Sequence, residues 1–515
     1  MLRFRVFRDG KIPDDFDLST AYLVGVDGVP IRGEFTYANG EVQCRKRAGG
    51  PAALNVMWET KNFGSIMLET TRLPERDEPY LLNLELARGR MMRVLQKRED
   101  WGLFDIAEAQ VVNEKAAECR DLIVEAMMNM DDPLIAADFS DKCLAAALPM
   151  SEQTALTHAD LLLLRRISTK NFPRSAFGTR VDPASPTEAY RRVFIPNSDF
   201  VMLPMKWRTL EPQEQAFDWA GTDEWVDFLW RRAKMPIVAG PLVYFHESCI
   251  PDWLYIWEHD YETVRDLLYE HINRVVGRYA QQVLLWNVLS GLHVNAQFSF
   301  TFDQLMDLTR MAVGLVKKIN PAARTMIEVT QPWGEYYADN QRSIPPLLYA
   351  EMVVQSGISF DVFGLQLRFG IPRDGCWQRD LFQISSMLDR FASLGKPVML
   401  SGLQVPSLPG DPAAGNAGVW RKPWTEQLQS KWLEAVTDIA LSKPFVEAIC
   451  WHELSDTASR TMPHGGLIMS DLSPKMGFKT WSSLRKALIN YKGGKPVIPP
   501  AGPAVPAGPA PAKPV

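Results

Sequence analysis

Several features are missing from the 515 residues, and each absence removes a class of function. No apolar run approaches the roughly 18 residues that a bilayer-spanning helix needs, so no membrane role is expected. The N-terminus, MLRFRVFRDGKIPDDFD, carries positive charge but no apolar core and no small-residue cleavage site. That pattern argues against a secretory leader and for a cytoplasmic location, with an export route that uses no leader left open. The six cysteines, at 44, 119, 143, 249, 376 and 450, are scattered and form no C-x-x-C pair. They are expected to be reduced core thiols rather than a disulfide framework. There is no G-x-G-x-x-G, no P-loop and no G-x-S-x-G, so nothing points to a nucleotide cofactor or a serine nucleophile. Histidine is scarce, seven in all. His246, His293, His452 and His464 fall near expected loops but lack the tight spacing of a metal site, so no metal is expected. A net charge of −5 gives no electrostatic basis for binding nucleic acid.

What is present is an ordinary globular composition, 46% hydrophobic and 23% charged, with an unusual 16 tryptophans. Residues 1–102 read as a β-sandwich-like unit. Leu2-Arg-Phe-Arg-Val-Phe-Arg8 alternates with period two, and Asp27-Gly28, Asn39-Gly40 and Gly49-Gly50-Pro51 mark turns. Such a unit could bind carbohydrate through Trp58, Tyr37 and Trp101, or serve assembly, including self-association into a homo-oligomer. Residues 103–172 change to helical spacing, over Ile106–Met130 and Ser151–Arg166, with Asp131-Asp132-Pro133 as a stop. They read as a helical connector.

From residue 173 to 490 short β-rich runs alternate with amphipathic helices. The runs begin at Ala176–Val181 and include Phe200–Leu203, Pro236–Ala239, Val283–Trp286, Thr325–Val329, Val362–Leu365, Val398–Leu400 and Ala448–Trp451. Eight strand–helix units in this length predict a closed (β/α)8 barrel. Residues 491–515 are rich in proline and alanine and are expected to form an extended tail.

Within the barrel segment, Met205-Lys206-Trp207 with Glu211-Pro212 is followed by Phe217, Trp219 and Asp223. Gly240 to His246 leads to Pro251 and Trp253. His271-Ile272, Val275-Val276 and Tyr279 precede Trp286-Asn-Val-Leu-Ser-Gly291. Phe360 to Gln366 precedes Leu394 to Gly402, and Ile449-Cys-Trp451 precedes Asp456, Gly466 to Asp471, and Pro474-Lys475. In order and spacing these stretches resemble glycoside hydrolase family 10, the xylanase family. The resemblance implies an α/β barrel and retaining cleavage of β-1,4-xylan by two glutamates. One donates a proton to the leaving oxygen and the other attacks the anomeric carbon.

The same resemblance places both glutamates where this chain has glycine. Gly291 stands for the acid/base and Gly402 for the nucleophile. Further departures follow: Pro241 and Arg368 stand where the family has histidine, and Met202-Leu203 where it has Glu-Asn. Lys206, His246, Gln366, Trp451, Trp286 and Arg368 are the residues the resemblance puts along the sugar subsites. Three functions stay open: a disarmed barrel that binds an oligo- or polysaccharide, a glycosidase whose carboxylates have moved, and a non-catalytic scaffold. For the second, Glu247 and Glu453 are the candidate pair, because both follow expected strand ends. The small residues at 291 and 402 predict a wider, flatter pocket.

Overall fold

The computed structural model describes residues 1–491 apart from Arg174, Gln341, 412–414 and 457–461. The expected tail falls outside the described residues.

The N-terminal region is built from β1 (Leu2–Arg5), β2 (Tyr22–Val24), β3 (Pro30–Ile31), β4 (Gly33–Ala38), β5 (Glu41–Lys46), β6 (Ala53–Thr60), β7 (Gly64–Glu69) and β8 (Tyr80–Leu81). In β1 the period-two pattern does what alternation requires: Leu2 and Phe4 are buried, and Arg3 and Arg5 face outward. These strands form two sheets, ordered β4-β5-β1-β8 and β7-β6-β2-β3. Phe4 and Val42 of the first sheet and Leu54 and Val56 of the second join one apolar core.

Strand character ends earlier than the sequence suggested. Residues 82–86, Leu-Asn-Leu-Glu-Leu, alternate as a strand would, but Leu82 opens a helix, α1 (Leu82–Asp100). Leu82, Leu86, Met91 and Val94 recur with helical spacing and are buried. The segment is otherwise rich in leucine, glutamate, arginine and methionine, all strong helix formers. The connector also differs from expectation. After α2 (Gln110–Met128), a single helix of 36 residues, α3 (Pro133–Ser168), runs through Pro149. Asp132-Pro133 therefore starts this helix as well as ending the previous turn: the Asp132 carboxylate accepts from the amides of Leu134 and Ile135.

The eight expected barrel strands are all present: β9 (Phe177–Arg180), β10 (Phe200–Leu203), β11 (Ile237–Ala239), β12 (Val283–Ser290), β13 (Arg324–Val329), β14 (Val362–Arg368), β15 (Val398–Gln404) and, after an intervening β16 (Val419–Trp420), β17 (Val446–Trp451). They are parallel throughout and close on themselves, with β17 pairing to β9. Phe200, Met202, Val238, Leu285, Met326, Val362, Met399 and Cys450 fill the interior, so the barrel is a packed core and not a channel. Helices such as Phe302–Ile319, fixed at its start by a Thr301/Gln304 capping box, form the outer layer.

The two regions are joined by more than a linker. Strand β16 leaves the loop between the seventh and eighth barrel strands and adds to the edge of β7, Val419 opposite Ser65 and Trp420 opposite Gly64. Gly64 has φ +97°, and a Cβ there would lie 2.4 Å from the Val419 carbonyl oxygen, so only glycine admits this pairing. Glu152 of α3 is fully buried and anchors the strap. It accepts from the Trp420 indole (2.6 Å), the Leu381 amide (3.1 Å) and the Arg421 guanidinium (2.7 Å). Burial raises its pKa, opposed by Arg421. A Glu152→Ala variant strands three donors at once and is expected to lose about 3–5 kcal/mol, read as a lower urea midpoint. An unchanged midpoint would remove Glu152 from this role.

The aromatic residues considered for glycan binding in the N-terminal region each engage neighbours within the chain. Trp58 is 3% exposed with the Arg8 guanidinium over it. The Tyr37 hydroxyl donates to the Pro13 carbonyl, and Trp101 stacks on His158 at 4.5 Å.

Candidate functional site

In a (β/α)8 barrel the reactive groups gather at the C-terminal ends of the strands. Here those ends surround a cleft of about 150 Å³. Arg180 comes from β9, Lys206 from the turn after β10, Tyr244 and His246 from the loop after β11, and Ser290 from the end of β12. Glu328 comes from β13, Gln366 and Arg368 from β14, Arg373 from the loop beyond it, and His452 and Glu453 from just after β17. A larger cavity of about 420 Å³ opens at the opposite mouth, where it is lined mainly by the apolar barrel filling and by the Arg324–Glu447 pair. That is the stability face of the fold, so the smaller cleft is the candidate site.

A row of side chains crosses its floor. Arg368 donates through Nε to Gln404 Oε1 (3.1 Å), and Gln404 Nε2 donates to Glu453 Oε2 (2.8 Å). Opposite, Ser290 Oγ donates to one oxygen of the buried Glu328, whose other oxygen finds no partner among the described residues. His246 Nδ1 accepts from the Ser248 amide (3.2 Å), which leaves its proton on Nε2. Burial, reinforced by Arg373, lowers the His246 pKa. The His452 imidazole is held well below its usual range by burial and then by Arg368, Arg180, Arg373 and Lys206, so it is neutral. Burial likewise lowers the pKa of Arg368.

Of the residues singled out from the sequence, Lys206, His246, Gln366, Arg368 and Glu453 line this cleft. Three do not. Glu247 is exposed and outside the lining, with its carbonyl held by Arg208 at 2.9 Å, so the pair Glu247 and Glu453 is not assembled across the cleft. Trp451 is fully buried and its indole N–H donates to the Gly465 carbonyl (3.0 Å), so it offers no face to a sugar. Trp286 is also fully buried, in the barrel wall. Strand alternation turned these two rings away from the mouth, and sequence does not reveal that phase. Arg180, Arg373 and Gln404 were missed because each is a single polar residue in a loop or strand end with no motif around it, whereas Tyr244 lies inside the Gly240–His246 stretch and was not singled out there. Glu335, the other acid near β13, pairs with Arg379 away from the cleft at 2.6 Å. No metal-binding group of histidine, cysteine and acid residues occurs among the described residues.

The glycines do not widen the pocket. A Cβ on Gly402 would lie 2.9 Å from His452 Nδ1 and 3.2 Å from Gln366 Cγ. One on Gly291, which has φ +57°, would lie 2.7 Å from Thr330 Oγ1 and 3.2 Å from a Tyr244 ring carbon. Neighbouring side chains occupy both spaces.

Much of the recurring sequence pattern builds the wall beside the cleft. Trp207 stacks on His271 at 4.4 Å and donates to Glu211 Oε2 (2.8 Å), while the Trp253 indole donates to the Glu211 carbonyl (3.0 Å). These are packing roles in the wall of the barrel.

A closed parallel eight-stranded barrel with a polar cleft at its C-terminal mouth is the (β/α)8 barrel architecture. The family model for glycosyl hydrolase family 10 matches residues 165–464, more than half of the chain, and the chain belongs to that family. It is 24% identical over 228 residues to endo-1,4-beta-xylanase A of Xylanibacter ruminicola, covering 42% of this chain and 57% of that one, so it spans little more than half of that relative. It is 22% identical over 266 residues to endo-1,4-beta-xylanase B of Thermotoga neapolitana, covering 50% of this chain and 69% of that one. Among solved structures, native xylanase 10B from Thermotoga maritima superposes with a TM-score of 0.47 at 17% identity, over 64% of this chain and 99% of that one.

Proposed function

We propose that this family member binds a β-1,4-linked glycan of the xylan type at the mouth of its barrel and does not hydrolyse it by the family's retaining mechanism. The observation that carries the reading is the pair of glycines. Gly291 follows the fourth barrel strand and Gly402 lies in the seventh, where the resemblance requires the acid and the nucleophile. Glycine has no group that can donate a proton or attack carbon, and each role accounts for a large part of the rate. The cleft nonetheless keeps hydroxyl-binding groups, Gln366, Lys206 and the Tyr244 hydroxyl among them. Its volume is below the roughly 300–1,000 Å³ of pockets for drug-sized ligands and suits a single sugar ring, with the rest of a chain lying outside.

Calorimetric titration of the full chain with xylotriose, beside product analysis after long incubation, tests this. Saturable binding without cleavage is expected. Gln366→Ala is expected to weaken binding about five- to tenfold, the value of one hydrogen bond. Absence of binding would remove the reading and leave a scaffold.

A second reading has one observation in its favour. Two carboxylates, Glu328 and Glu453, do line the cleft, and a retaining enzyme needs a pair about 5–5.5 Å apart. If they have taken over, cleavage occurs and is abolished by Glu328→Gln or Glu453→Gln.

A further inference from the structure

We infer that the glycan held in this cleft carries a negative charge, a uronic acid carboxylate seated among Arg180, Lys206, Arg368 and Arg373. The inference rests on the glycan-binding reading above and names the ligand class for the same site.

The chain as a whole has a net charge of −5, yet four cations from separate strands and loops converge on a space of about 150 Å³. Arg180, Lys206 and Arg373 form no ion pair among the described residues, whereas Arg208, just beside the cleft, is paired to Asp252. Three carboxylates, Asp182, Glu328 and Glu453, share the lining with the four cations and leave it with one positive charge in excess. Asp182 turns its two oxygens to the Ala184 amide (3.0 Å) and the Ser185 hydroxyl (2.8 Å) of its own turn. Glu453 is engaged by Gln404, and Glu328 by Ser290. Both histidines that border the space are neutral, so they add no charge and can donate or accept.

Like charges gathered in a partly desolvated cleft repel one another, and an anion placed between them removes that repulsion. The planar guanidinium fork is matched to a carboxylate, with which it forms paired, charge-assisted hydrogen bonds. The remaining lining supplies what a sugar ring needs beside its carboxylate: the Gln366 amide, the Tyr244 ring and hydroxyl, and the Ser290 and Ser248 hydroxyls. A bare inorganic anion would leave these without a role.

Calorimetry on the full chain distinguishes the cases. The probes are xylotriose, a xylo-oligosaccharide of the same length bearing one glucuronic acid, free glucuronate, and inorganic phosphate. The acidic oligosaccharide is expected to bind about tenfold or more tightly than the neutral one, the value of one charge-assisted contact. That advantage is expected to shrink as salt is raised from about 50 to about 200 mM. Arg180→Gln and Arg373→Gln, both at solvent-accessible positions, are expected to weaken binding of the acidic oligosaccharide several-fold more than binding of xylotriose, with the urea midpoint unchanged. Equal affinity for the neutral and acidic oligosaccharides overturns this inference and leaves glycan binding standing. Phosphate bound as tightly as the acidic oligosaccharide also overturns it, by assigning an inorganic anion site. No binding of any probe overturns both.

Discussion

Arg379→Met is expected to lower the stability of the whole chain by about 3–5 kcal/mol, the usual consequence of leaving one member of a buried ion pair unpaired. Arg379 lies after the sixth barrel strand and is 2% exposed. Its guanidinium reaches Glu335, from the loop after the fifth strand, at 2.6 Å, and the Tyr22 hydroxyl of the N-terminal sheet at 3.0 Å. Removing the arginine buries a lone carboxylate at 335 and unties the two regions at one point. The double variant Arg379→Met/Glu335→Leu is expected to regain most of the loss, because replacing both partners removes the charge along with its partner. Equilibrium urea unfolding measures both. A single variant within about 0.5 kcal/mol of the parent would show that the pair is not buried as described. Together with the β16 strap and Glu152, this contact leads to a single unfolding transition for the N-terminal sheets and the barrel.

The second large effect concerns re-arming. Gly291→Glu/Gly402→Glu puts carboxylates at the two positions where the resemblance expects them, yet it is expected to give no turnover of xylan and to lose about 1–3 kcal/mol at each position through overpacking. At 402 the new Cβ meets His452 and Gln366; at 291 it meets Thr330 and Tyr244 on a left-handed backbone that disfavours a side chain. Neighbouring side chains occupy the space at both glycines and would have to be changed first. Reducing-sugar release by the double variant on xylan is the measurement. Turnover comparable to a working xylanase would mean that the cleft accommodates both carboxylates in working geometry.

The barrel was legible because its signal is repeated. Eight β-rich runs and the intervening amphipathic helices agree with one another, and each supports the topology of the rest. The N-terminal region was less so. Residues 82–86 alternate as a strand would, and the helical spacing of Leu82, Leu86, Met91 and Val94 emerges only over a longer window. Strand β16 could not be foreseen, since two residues in a barrel loop carry no strand signal until β7 offers its edge. At the site, Lys206, His246, Gln366 and Arg368 were placed by motif order. Trp286 and Trp451 failed on side-chain direction, which depends on one-residue phase within a strand. The reading of the glycines as a wider pocket failed because it treated a missing side chain as empty space. Packed interiors fill such spaces, here with His452, Gln366, Thr330 and Tyr244.

The central claim is tested most directly by incubating the purified chain with xylan and with xylotriose, and following both binding and released reducing ends. The account expects saturable binding with no cleavage, unchanged in Glu328→Gln/Glu453→Gln. Cleavage by the parent chain that disappears in that double variant would contradict it and identify a hydrolase with displaced carboxylates.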